Sequence, residues 1–117
     1  MNYKEVDFNI RIAEAQNLIN KYPGKIPLIV NCSNNIPITK HKYLVPDELS
    51  CGRFLHLLRR NIKLKADQAL FMFINNTLPT PSTRIGDLYK KHKDSDLFLY
   101  VFINEENTFG TKKILQI

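Results

Sequence analysis

"DLFLYVFI" (residues 96–103) runs apolar almost from end to end instead of alternating, so it predicts a strand covered on both faces and therefore central in its sheet. Everything before it can be placed relative to that strand. "STRIGDLYKKHK" (82–93) reads as a short helix with Ile85, Leu88 and Tyr89 inward. "ALFMFI" (69–74) is too short an apolar run for a helix and predicts a buried strand, broken by the turn formers "NNTLPTP". In "SCGRFLHLLRRNI" (50–62), Ser50 can cap a helix whose Phe54, Leu57, Leu58 and Ile62 recur at three- and four-residue steps, with Gly52 a small cost in the first turn.

Earlier still, "KHKYLVP" (40–46) is a short strand ended by Pro46. The polar link "SNNIP" makes it a hairpin partner of "KIPLIVNC", a strand over about 26–32 in which Pro27 is acceptable only near the start or at an unpaired position. "IRIAEAQNLINKY" (10–22) places Ile12, Ala15, Ile19 and Tyr22 on one helical stripe, flanked by Leu18 and stopped by Pro23-Gly24. The order helix, strand, strand, helix, strand, helix, strand predicts an α+β fold of the ubiquitin-like β-grasp type. Its four-stranded mixed sheet carries the crossover helices on one face and an added N-terminal helical segment, about residues 1–24, on the other.

At 117 residues and 44% hydrophobic content, the chain is one domain able to bury a core without staples. No apolar stretch approaches the roughly 18 residues of a membrane span, and "MNYKEVDFNIRIAEAQ" lacks a signal peptide's apolar centre, so a cytosolic location is expected. Cys32 and Cys51 fit free thiols of a reducing compartment. Catalysis is not expected: Cys51 with His56 or His92 lacks the surroundings of a nucleophile. His41, His56 and His92 have no metal-ligand spacing, so no metal or cofactor is expected, and Gly24, Gly52, Gly86 and Gly110 are too dispersed for a phosphate loop. A net charge of +6 fits either a solvated surface or an acidic partner, whether nucleic acid, an anionic membrane or an acidic peptide.

In "KHKYLVP" alternation sends Lys42 and Leu44 to one face and Tyr43 and Val45 to the other. An extended peptide added to this edge, with an aromatic residue at one position and an aliphatic one three residues later, could fill a pocket on each face. Read from the strand alone, Tyr43, Leu44 and Val45 more simply pack the core, as apolar strand residues usually do.

"KYPGKIPLIV", "KYLVPDEL", "ALFMFINNTLP", "LYKKHKDSDLFLYV" and above all "ENTFG" make the chain, from about Tyr3 to Gly110, resemble the autophagy-related protein 8 family. These ubiquitin-like modifiers include the GABA-receptor-associated protein and the microtubule-associated light chain. The resemblance implies that a dedicated cysteine protease cuts between Gly110 and Thr111, discarding residues 111–117. Ubiquitin-like activating and conjugating enzymes then attach Gly110 to phosphatidylethanolamine on autophagosomal or other vesicle membranes, while the unmodified protein is cytoplasmic. It also implies a groove for cargo receptors carrying an aromatic-x-x-aliphatic motif. Its first pocket comprises Glu14, Leu18, Pro27, Ile29, Lys42, Leu44 and Phe98; its second comprises Tyr43, Val45, Pro46, Leu49, Phe54, Leu57 and Leu58. Lys40 and Lys42 would meet acidic residues preceding the ligand's aromatic. Nucleic acid is not among the implied partners.

Three departures bear on partner choice: Asn61 stands where the family usually has arginine, the link "NCSNNIPITKH" is shorter than usual, and the chain before Phe8 is trimmed. An alternative keeps the fold and drops the conjugation: a basic β-grasp adaptor binding acidic peptides or RNA without lipidation.

Overall fold

Helix α1, Phe8–Lys21, begins where the Asp7 side chain accepts a hydrogen bond from the Asn9 N–H, and a 3₁₀ turn, Tyr3–Glu5, precedes it. These elements belong to a computed structural model that describes residues 2–62, 64 and 68–105. Ala15 is the one helix residue fully buried, with Leu18 packed beside it. Tyr22 departs from the expected stripe and is 41% exposed. The helix ends at Lys21, and the Tyr22 backbone swings to φ −127° as its N–H closes on the Leu18 carbonyl, which carries the ring off the inward face. Gly24, at φ +83°, completes the turn in a conformation that favours glycine.

Strands β1 (Lys25–Cys32) and β2 (Lys42–Pro46) form the hairpin, followed by α2 (Cys51–Asn61), β3 (Phe71–Phe73), α3 (Ile85–His92) and β4 (Leu99–Asn104). The sheet order is β2-β1-β4-β3. β1 lies antiparallel to β2 and parallel to β4, and β3 lies antiparallel to β4, so the sheet is mixed and β4 is interior, as expected. Pro27 is tolerated because the parallel ladder with β4 starts one residue later, at Leu28↔Leu99.

Two strands are shorter than their apolar runs. β3 keeps only three residues, because Ile74 leaves the ladder to bridge Thr77 around Asn75 and Asn76, both at positive φ. β4 starts at Leu99 because residues 94–97 form a turn, closed by the Leu97 N–H on the Asp94 carbonyl, with Leu97 at φ 71° and the Asp94 N–H donating to the Phe98 carbonyl.

The alternation of β1 divides the core. Ile26, Leu28 and Val30 join Val45, Leu99, Val101 and Ile103 under Phe54 and Leu58 of α2 and Ile85 and Leu88 of α3. Ile29 faces the other way, where it meets Ala15 of α1 and Phe98. Crossover helices on one face and the N-terminal helix on the other are thus the observed layers. Gly52 has a larger role than its expected small helix cost. A Cβ there would lie 2.9 Å from Pro81 Cβ and 3.0 Å from the Pro81 carbonyl oxygen, so the first turn of α2 depends on glycine to approach the 80–83 loop.

Candidate functional site

β2 is an outermost strand, and its backbone offers a row of hydrogen-bonding groups. The His41 carbonyl accepts from the Val30 N–H at 2.7 Å, and the register continues through Leu28↔Tyr43 and Ile26↔Val45. Because backbone polar groups alternate sides along a strand, those of Lys42 and Leu44 point away from β1, while Pro46 has no N–H to offer. His41 Nδ1 lies 2.8 Å from the Val30 carbonyl and donates to it, which fixes the ring beside the hairpin.

On the α1 face, Lys42 Nζ donates to both oxygens of Glu14, at 2.9 and 3.1 Å. The Tyr3 hydroxyl donates to the same carboxylate. The Tyr3 ring lies under Lys42 Nζ, 4.6 Å from its centroid, and meets Phe98 edge to face at 5.4 Å. Burial pushes the Glu14 carboxyl up, but the bonds from Lys42 and Tyr3 together outweigh it and hold the group below its ordinary value. Burial and the Glu14 contact both push the Tyr3 hydroxyl well up. Leu18, Ile29 and Phe98 form one apolar cluster with Tyr3, Pro27 is buried on the same face of β1, and Leu44 is half-buried opposite it. Beside Tyr3, a cavity of about 270 Å³ is lined by Tyr3, Val6, Ile29, Asn31, His41 and Lys42.

On the opposite face, Val45, Phe54 and Leu58 are buried in the main core, with Tyr43 and Leu49 packed against it and Pro46 and Leu57 half-buried. Tyr43 meets Phe54 edge to face at 5.7 Å, and its hydroxyl donates to the Lys40 carbonyl at 2.9 Å. The surface opening here, about 250 Å³, is lined by Tyr43 with Ile38, Thr39, Lys40, Asn61 and Ile62. Lys40 thus stands at this rim, while Lys42 is engaged with Glu14 across the sheet.

The sequence reading passed over Asp96. Its side chain is fully buried and accepts from Arg11 Nε at 2.9 Å, from the Phe98 N–H at 3.0 Å and from the Tyr100 hydroxyl. Burial, then the bond to Asp96, pushes the Tyr100 hydroxyl well up. Arg11 Nη1 also donates to the Lys4 carbonyl at 2.9 Å and the Val6 carbonyl at 2.5 Å, so one guanidinium ties α1, the β4 turn and the 3₁₀ turn together. Lys4 adds an ion pair of 2.7 Å to Asp94. The signal available in the sequence was a lone acidic residue opening an apolar run.

Cys51 Sγ donates to the Thr80 carbonyl, His92 Nδ1 accepts from Asn75 and His56 is exposed, so these groups are engaged separately. Burial pushes the Cys51 thiol up, which favours the inert protonated form. No cluster of metal-ligating side chains and no helix long and apolar enough to cross a membrane occurs among the described residues. Gly110, Thr111 and the tail lie outside the described residues.

Comparison with known proteins matches both the sequence and the fold. The model of the family described as "Autophagy protein Atg8 ubiquitin like" matches residues 10–110. Autophagy-related protein 8 of Kluyveromyces lactis is 43% identical over 109 residues, covering 91% of this chain and 88% of its own. The solved structure of Trypanosoma brucei ATG8 superposes with a TM-score of 0.82 at 35% identity, covering 94% of this chain and 98% of that one. Plasmodium falciparum Atg8, solved in complex with a Plasmodium falciparum Atg3 peptide, gives a TM-score of 0.77 at 34% identity over 88% of this chain and 94% of that one. Fold, sequence identity and the extent of the match agree, and the chain belongs to the Atg8 family of ubiquitin-like autophagy proteins.

Proposed function

We propose that the chain is a modifier and not a catalyst: a cysteine protease hydrolyses the Gly110–Thr111 bond, and ubiquitin-like activating and conjugating enzymes pass the freed carboxyl to the amine of phosphatidylethanolamine as an amide. Glycine suits both steps because a narrow protease channel and an acyl-transfer site need close approach of the backbone. The two acyl chains then hold the protein on autophagosomal membranes, each buried CH₂ contributing roughly 0.8 kcal/mol. Cargo receptors join through an extended acidic segment that pairs with the outward backbone of Lys42 and Leu44. Its aromatic residue is directed to the Glu14, Leu18, Pro27, Ile29, Lys42, Leu44 and Phe98 face and its aliphatic residue to the Tyr43 and Phe54 face.

The observation that carries the reading is the family match, which extends to residue 110 and leaves "TKKILQI" outside it. The peptide complex of the Plasmodium falciparum relative supports a peptide as partner. Intact-mass analysis after incubation with the matching protease should show loss of the seven residues 111–117, and Gly110→Ala should block it. Persistence of the full-length mass in the wild type would sink the modifier reading.

A further inference from the structure

The aromatic pocket assigned to a ligand already holds an aromatic ring. Tyr3 lies against Phe98 at 5.4 Å, under Lys42 Nζ at 4.6 Å, and hydrogen-bonds Glu14, so three of the seven residues of that pocket touch it directly. Ile29 and Leu18 belong to the same apolar cluster. An incoming aromatic side chain would seek the same edge-to-face partner and the same cation.

The segment that carries Tyr3 is built to lift. The 3₁₀ turn is three residues long and buries none of them, and its Lys4 to Asp94 ion pair has the lysine side chain 48% exposed. Its main anchors are the two carbonyls of Lys4 and Val6 held by Arg11, which the buried Asp96 orients. Tyr3 and Val6 both line the 270 Å³ cavity together with Ile29 and Lys42, so this segment lies on the side of the first pocket and not on the opposite face. That cavity gives the ring a space to swing through.

We propose that Tyr3 is the resident occupant of the aromatic pocket and that a peptide's aromatic side chain enters by displacing it. The inference rests on the groove reading given above. The chain then discriminates among peptides by requiring an aromatic residue good enough to replace a tyrosine, and the apparent affinity is reduced by the fraction of molecules in which Tyr3 has left.

The test titrates full-length wild type, Tyr3→Ala and Tyr3→Phe with one acidic aromatic-x-x-aliphatic peptide by calorimetry. In parallel, p-cresol is offered to each protein with ligand-observed NMR as readout. Removing the occupant should tighten peptide binding about tenfold, since the displacement equilibrium no longer opposes it. Tyr3→Phe, which keeps the ring and loses the bond to Glu14, should fall between. The cresol should bind Tyr3→Ala and not the wild type. Equal or weaker peptide binding by Tyr3→Ala would make Tyr3 a wall of the pocket and overturn the proposal. If no variant binds the peptide, the groove reading fails and the cresol decides alone: selective binding to Tyr3→Ala upholds the occupancy, and equal or absent binding rejects it.

Discussion

Glu14 is half-covered by the two groups it binds, and its charge is worth most to the fold when ionised. A carboxyl held below its ordinary value of 4.5 adds stability above that pH, and the contribution is lost as pH falls through the lower, folded value. The urea midpoint of the wild type should therefore exceed that of Glu14→Gln near pH ~6, and the gap should close toward pH ~3. A gap that is the same at both pH values would mean that Glu14 acts by packing alone. Glu14 was named as a candidate groove residue because the family resemblance carried it. Asp96 was not. Its importance lies in Arg11, 85 positions away in sequence, and a single chain does not reveal that an acidic residue beside an apolar run turns inward to meet a distant guanidinium. Tyr3 was hidden for a related reason: a three-residue turn has too few positions for periodicity to register.

At the level of elements, all four strands and three helices were legible from apolar periodicity, and the errors fell at their ends. "ALFMFI", and "DLFLYVFI" after its opening aspartate, read as wholly strand because the run is apolar throughout. Ile74 and Phe98 are indeed buried, but in a turn and in the α1 cluster instead of a ladder. Burial and strand pairing coincide in most of an apolar run and part company where the chain must change direction. The start of α2 shows the same limit, since nothing in "SCGRF" announces that Pro81 will lie against Gly52. Gly52→Ala gains roughly 1 kcal/mol in helix propensity but forces a methyl against the backbone of that loop. The net result should be a loss of about 1–2 kcal/mol in urea unfolding, the scale of a modest overpacking. A variant more stable than the wild type would show that the 80–83 loop yields easily.

Across the whole molecule, the sheet separates two tasks. α2 and α3 cover one face with the larger core, while α1 and the 3₁₀ turn cover the other only partly, beside the open edge of β2. Peptide capture by that edge and membrane attachment through Gly110, both as proposed above, would therefore use different parts of the chain. Six residue steps run from Asn104, the end of β4, to Gly110, so a lipid attached there as proposed would lie within about 22 Å of that strand end.

The proposed membrane anchorage could draw on two physical sources, the +6 charge and the lipid, and salt separates them. Basic side chains near an anionic surface contribute about 1 kcal/mol each and are screened beyond a Debye length of roughly 8 Å at physiological salt. Two acyl chains buried in hydrocarbon are nearly indifferent to ionic strength. In vesicle flotation, the Gly110-conjugated form should stay with the membrane through a high-salt wash. The unprocessed chain, which still carries "TKK" at 111–113, should be released. Equal retention of the two forms at high salt would place the anchor elsewhere, because charge could not hold the unprocessed chain there and lipid would not be present to do so.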